Sequence, residues 1–165
     1  MDATNSGPPG FASRKPTEYR YVQGSIFDAF ERAHVEAVVV FAQGMALSAD
    51  AHSFVQELRE VSPENENGIA VYRDDIGRFV VVYRDRMRLP RVVLELDDLV
   101  EALCAMLVRL GVKRVAMNDV RISGSYACDR LVREVEFWCN RNGYPLEQVF
   151  FVDLRGGFNK GRIFD

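Results

Sequence analysis

The chain has 165 residues, 48% of them hydrophobic and 27% charged, which is enough for one domain with a sizeable core and too few for two ordinary ones. Its 21 Lys and Arg stand against 24 Asp and Glu, a formal charge of -3 that excludes a global positive field for nucleic acid or an anionic membrane, so any anion site has to be local. No apolar run reaches the length of a membrane span, and Cys104, Cys128 and Cys139 lack the CxxC spacing of a zinc or redox site, so a soluble protein with free thiols in a reducing, cytoplasmic compartment is expected.

Residues 1–17 (MDATNSGPPGFASRKPT) are rich in Pro, Gly, Ser and Thr and carry little apolar content to offset the entropy of ordering. They read as a flexible leader before a domain over 18–155 and a tail over 156–165. YRYVQ predicts a short strand. HVEAVVVFA, His34 to Ala42, has the β-branched run of a strand buried on both faces. In ALSADAHSFVQELREV, Ala51, Phe54, Val55 and Leu58 fall at helical spacing, and Pro63 with ENENG ends the segment. GIAVYRDDIGRFVVVYRD predicts an antiparallel hairpin turning at Asp75 to Gly77. Leu96 to Leu110 predicts a helix with Asp97 or Asp98 as N-cap and Gly111 as its stop. KRVAMN is a strand, Cys128 to Asn142 a helix ended by Gly143, and QVFFVDL a last apolar strand. The alternation predicts a three-layer α/β/α domain on a mixed, largely parallel sheet with one antiparallel hairpin.

In such sheets ligands sit beyond the carboxyl ends of the strands, where loops lead into helices. The segments expected there are GSIF (Gly24 to Phe27), FAQGMALS (Phe41 to Ser48) and RISGSY (Arg121 to Tyr126). Ser123, Gly124 and Ser125, ahead of a helix, could offer backbone N–H groups and hydroxyls to a diphosphate, or could be a turn with capping serines. Local sequence leaves both readings open.

The order YVQGSIF, VEAVVVFAQGMALS, GIAVYRDDIGRFVVVYRDR and LDDLVEALCAMLVRLGVKRVAMNDVRIS, from about Tyr19 to Leu154, resembles a macro domain, the ADP-ribose-binding module. It looks most like the branch containing the terminal ADP-ribose protein glycohydrolase. The resemblance implies binding of ADP-ribose or a related nucleotide, with no cofactor and no metal. It places Ser25, Ile26, Gly44, Met45, Ser123, Gly124, Ser125 and Tyr126 at the ligand, and Gln43 and Asp129 where hydrolytic relatives have an Asn and a catalytic Asp. Ser25 stands where the family has an Asp for the adenine amine, and of the second loop's glycines only Gly44 is kept. The hairpin end YRDRMRLPR has no Lys at the position of that branch's nucleophile, and a guanidinium stays protonated near neutral pH, so a covalent mechanism is lost.

Other residues stand on their own chemistry. Arg84, Arg86 and Arg88 alternate along an extended segment near Arg91, a phosphate or RNA surface with Tyr83 to stack, or a solvated strand edge. The acidic balance makes nucleic acid the poorer partner. His34 and His52 have no companion at metal-ligand spacing. Phe137 and Trp138 read as core of the last helix. Phe158, with Ile163 and Phe164 in a Gly-rich tail, could stack on a base or pack on a protein partner. Three functions follow: a nucleotide-binding module; hydrolysis of an ADP-ribosyl bond with Asp129 and Gln43 placing water; or a degenerate macro fold without nucleotide that serves as a protein-interaction or assembly module through its leader, Arg edge or tail.

Overall fold

A computed structural model describes residues 15–42, 54–65, 67–84, 96–118, 121–122, 125–126 and 128–153. Its elements in chain order are β1 (Glu18–Gln23), α1 (Asp28–Arg32), β2 (Ala37–Ala42), β3 (Arg59–Ser62), β4 (Ile69–Arg73), β5 (Phe79–Arg84), α2 (Leu96–Arg109), β6 (Arg114–Asn118), β7 (Arg121–Ile122), β8 (Ser125–Tyr126), α3 (Cys128–Arg141) and β9 (Gln148–Asp153). Helical backbone also covers 54–56.

The main sheet is seven-stranded in the order β1-β9-β6-β2-β5-β4-β3. Strands β1, β9, β6, β2 and β5 run parallel, and β4 and β3 then return antiparallel. β2 lies at the centre, and its Ala37, Val38 and Val39 are fully buried because both faces are covered. On one face Val39, Val81, Val115, Met117 and Phe151 pack against Leu99, Leu103 and Leu107 of α2 and Leu131 and Val135 of α3. On the other, Val38, Val40, Val82, Ala116 and Val152 pack against Ala29 and Phe30 of α1 and against Val55. Each Val so enclosed stabilises the fold by about 1.5–3 kcal/mol relative to exposure. The three-layer, mixed and largely parallel architecture is the one expected.

Several local expectations need correction. The helix read through QELREV ends early: Arg59–Ser62 is β3, paired antiparallel with β4, so the sheet has two antiparallel pairings rather than a single hairpin. Asp97 and Asp98 lie inside the first turn of α2, where the positive end of the helix favours carboxylates, and not at its N-cap. Gly111 does stop that helix: its φ of +80 lets its N–H reach the Val108 carbonyl and the Val112 N–H the Leu107 carbonyl. Thr17, assigned to the leader, is buried, and its Oγ1 donates to the Leu146 carbonyl at 2.7 Å, so the folded unit already includes it. Phe137 is 59% exposed rather than core, with the Arg141 guanidinium 5.2 Å from its ring centroid, whereas Trp138 is buried as expected.

Candidate functional site: the carboxyl edge of the parallel strands

The parallel strands end side by side at Gln23, Asp153, Asn118, Ala42 and Arg84. After Gln23, the Ser25, Ile26 and Phe27 carbonyls accept from the Asp28, Ala29 and Phe30 N–H groups, which turns β1 directly into α1. Ser25 is half-buried in this turn. Ile26 is buried against the α1 side of the sheet, so a ligand at this edge would meet its backbone more than its side chain. Phe27 stacks on Phe54, which fixes the helical residues that follow the second loop against the first.

The ladder of β2 with β6 stops at Val39 opposite Met117, while β6 stays paired with β9 to Asn118 and β2 with β5 to Ala42. The next N–H in that seam, on Phe41, donates to Oδ1 of the Asn118 carboxamide at 2.9 Å. The segments that follow these two strands in the chain are QGM and DVRISGSY. Within the latter, Arg121 pairs antiparallel with Tyr126 and Ile122 with Ser125. Asp129 sits in the first turn of α3. Gln43, Gly44, Met45, Ser123, Gly124 and Phe158 lie outside the described residues, as do Arg86, Arg88, Arg91 and His52.

Of the basic edge, only Arg84 and Tyr83 are among the described residues. Arg84 lies 3.9 Å from the Glu64 carboxylate, and Tyr83 is buried edge-on against Phe41 at 6.1 Å between centroids, which removes it as a stacking platform. His34 is exposed in the turn between α1 and β2 at φ +52, and among the described residues no group of three or more His, Cys, Asp or Glu could hold a metal ion. Cys104 and Cys139 are free and buried, and burial pushes both thiols up, which makes them poor nucleophiles at neutral pH. Among the described residues no helix is long and apolar enough to cross a membrane.

A concavity of about 880 Å³ lies away from this edge. Thr17, Tyr19, Glu101, Phe137, Trp138 and Arg141 are among its walls. Burial, followed by the proximity of Cys139, holds the Tyr19 phenol neutral well beyond its usual range. Sequence reasoning passes over this groove because Phe137 falls within an apolar helical stretch and reads as core.

Macrodomains of known structure share the architecture. The macrodomain of Thermus aquaticus DarG aligns with a TM-score of 0.55 at 14% identity, over 82% of this chain and 98% of that one. The Trypanosoma brucei macrodomain in complex with ADP-ribose aligns at 0.60 and 12% identity over 86% of this chain, and its complex with ADP at 0.60 and 14% over 86%. This chain spans 66% and 65% of those two chains. No protein-family model and no curated protein matches the sequence. The fold is macrodomain-like, as the resemblance in the order of its segments implies.

Proposed function

We propose that the chain is a divergent nucleotide-binding module that takes ADP-ribose or a related nucleoside diphosphate at the carboxyl edge of β1, β6 and β2. The observation that carries the reading is the alignment of 86% of the chain on a macrodomain in complex with ADP-ribose. The side-by-side endings of β1, β9, β6, β2 and β5 support it, since this is the edge where sheets of this class hold ligands. Ser25 replaces a carboxylate acceptor with a hydroxyl, so discrimination for adenine is expected to be weak. Isothermal titration calorimetry with ADP-ribose, with AMP and NAD as comparators, tests the reading. The expected result is binding on the order of micromolar that weakens in Gly124→Phe. No heat with millimolar ligand and folded protein would sink it.

Hydrolysis of an ADP-ribosyl bond is a further step of the same proposal. It assigns Asp129 and Gln43 to placing a water, and turnover that survives Asp129→Ala would refute it. A reducing, intracellular setting belongs to the proposal too, supported by the free thiols of Cys104 and Cys139.

A second reading, a protein-interaction module without a nucleotide, is favoured by one observation: Phe137 is 59% exposed at a groove of about 880 Å³. A silent titration with nucleotides, together with a protein partner whose binding is lost in Phe137→Ser, would select it.

A further inference from the structure

We propose that the groove between α2, α3 and the start of β1 is a docking site for a cationic peptide segment, one that sets Arg or Lys beside an apolar residue. The inference is independent of the nucleotide at the carboxyl edge, and it deepens the protein-interaction reading by naming the chemistry of the partner.

Size narrows the occupant first. At about 880 Å³ the groove falls in the upper part of the roughly 300–1,000 Å³ range of clefts that hold whole ligands, so it suits several side chains rather than a single ion. Its walls are aromatic as well as polar, with Tyr19, Phe137, Trp138 and Tyr144 among them. Trp138 is buried, while Phe137, its neighbour along α3, is 59% exposed. A partner that covers Phe137 removes apolar surface from water, and it does so beside the Trp and Tyr side chains that most often anchor interfaces.

Charge then selects the kind of segment. Asp97, Glu101, Glu134 and Glu136 bring carboxylates to the walls, against the guanidiniums of Arg133 and Arg141. Arg141 is already engaged, 3.8 Å from the Glu101 carboxylate and 5.2 Å from the Phe137 ring centroid. Glu136 accepts only a long hydrogen bond from the neutral Tyr21 hydroxyl, at 3.5 Å, which leaves its charge uncompensated. Asp97, Glu134 and Glu136 thus face Arg133 alone, an excess of negative charge that attracts a cation and repels a phosphate. The contact that Arg141 makes, a guanidinium over a ring and toward a carboxylate, is the one a partner's Arg would repeat along these walls.

The test uses the full chain with a peptide of sequence GSRLRGSG, and GSELEGSG as its acidic counterpart. Trp138, the chain's single tryptophan, reports from the groove wall by its fluorescence. The expected result is a saturable change in emission with an affinity on the order of 100 micromolar at low salt, weakening as salt rises, and no response to the acidic peptide. Glu134→Lys and Phe137→Ser lie outside the buried core, and each is expected to weaken binding about tenfold. Silence with both peptides, equal response to both, or binding that neither substitution changes overturns the inference. A dimer in sedimentation that Phe137→Ser dissolves would give the groove to a second copy. Peptide binding that appears only after Arg14→Glu with Lys15→Glu would give it to the chain's own first residues. Either result also overturns the inference. A protein partner that is lost in Phe137→Ser but carries no basic segment would overturn it while keeping the interaction reading, and ADP-ribose calorimetry on the same sample judges the nucleotide reading separately.

Discussion

Phe27 and Phe54 stack with ring centroids 4.4 Å apart and 19° between their planes, and Phe30 flanks the same ring at 6.2 Å. Phe27 belongs to the turn after β1, and Phe54 opens the described helical residues that lead to β3. One aromatic cluster therefore ties together segments that come from different sides of the central strand. Replacing Phe54 with Ala should cost about 3 kcal/mol, read as a lowered urea midpoint, while Leu should recover most of it. A loss below about 1 kcal/mol would mean that the cluster is not a clamp.

Gly68 and Gly111 have nearly the same positive φ, +81 and +80, yet their substitution by Ala should differ sharply. A Cβ at Gly68 would sit 2.5 Å from the Arg84 carbonyl oxygen, against the backbone of β5. A Cβ at Gly111 meets nothing within 4 Å. Gly111→Ala should cost only the left-handed penalty of about 1–2 kcal/mol. Gly68→Ala adds a clash that the strand end can relieve only by shifting, and it should lower the midpoint of thermal unfolding clearly further. Equal losses would refute the argument.

Asp74 makes the hairpin between β4 and β5 sensitive to acid. Burial by itself would raise its carboxyl; hydrogen bonds from the side chain and backbone of Arg78, the Arg78 charge and the Ile76 N–H outweigh it and bring it below the usual carboxylate value of 3.8. A carboxyl lowered in the folded state contributes stability that is present above its unfolded value and lost as pH falls through the folded one. Asp74→Asn should therefore lower stability at neutral pH and flatten the decline below about pH 4. Parallel acid limbs for the two proteins would contradict this.

Legibility in the sequence followed burial. β2, β5 and the hairpin announce themselves because AVVVFA and FVVVYR are enclosed on both sides, and a continuous β-branched run suits a doubly covered strand far better than a helix or a loop. β3 escapes because REVS is an edge strand whose exposed residues show no alternation, and its charges suit the flank of a helix equally well. α1 escapes because it is five residues long and its N-cap, Phe27, makes no side-chain capping bond. Phe137 misleads because helical periodicity says which residues share a face without saying whether a partner covers it. At the candidate site, the turn of Ser25 and Ile26 directly after β1 is legible from the sequence. The Asn118 bond to Phe41 is not, since nothing local marks a strand end whose side chain replaces a carbonyl.

The pairing of β1 with β9 has a consequence for how the chain reaches this state. β1 sits at the sheet's rim with β9 as its neighbour, matched residue for residue from Glu18 with Gln148 to Gln23 with Asp153. Thr17 closes the same seam with its bond to Leu146, 129 positions further along. During synthesis the first strand must wait for the last, its apolar side chains uncovered while every intervening element emerges. Such distant closure makes for slow folding and a premium on chaperones. A ribosome-bound fragment that stops short of Gln148 would hold β1 without a place in the sheet.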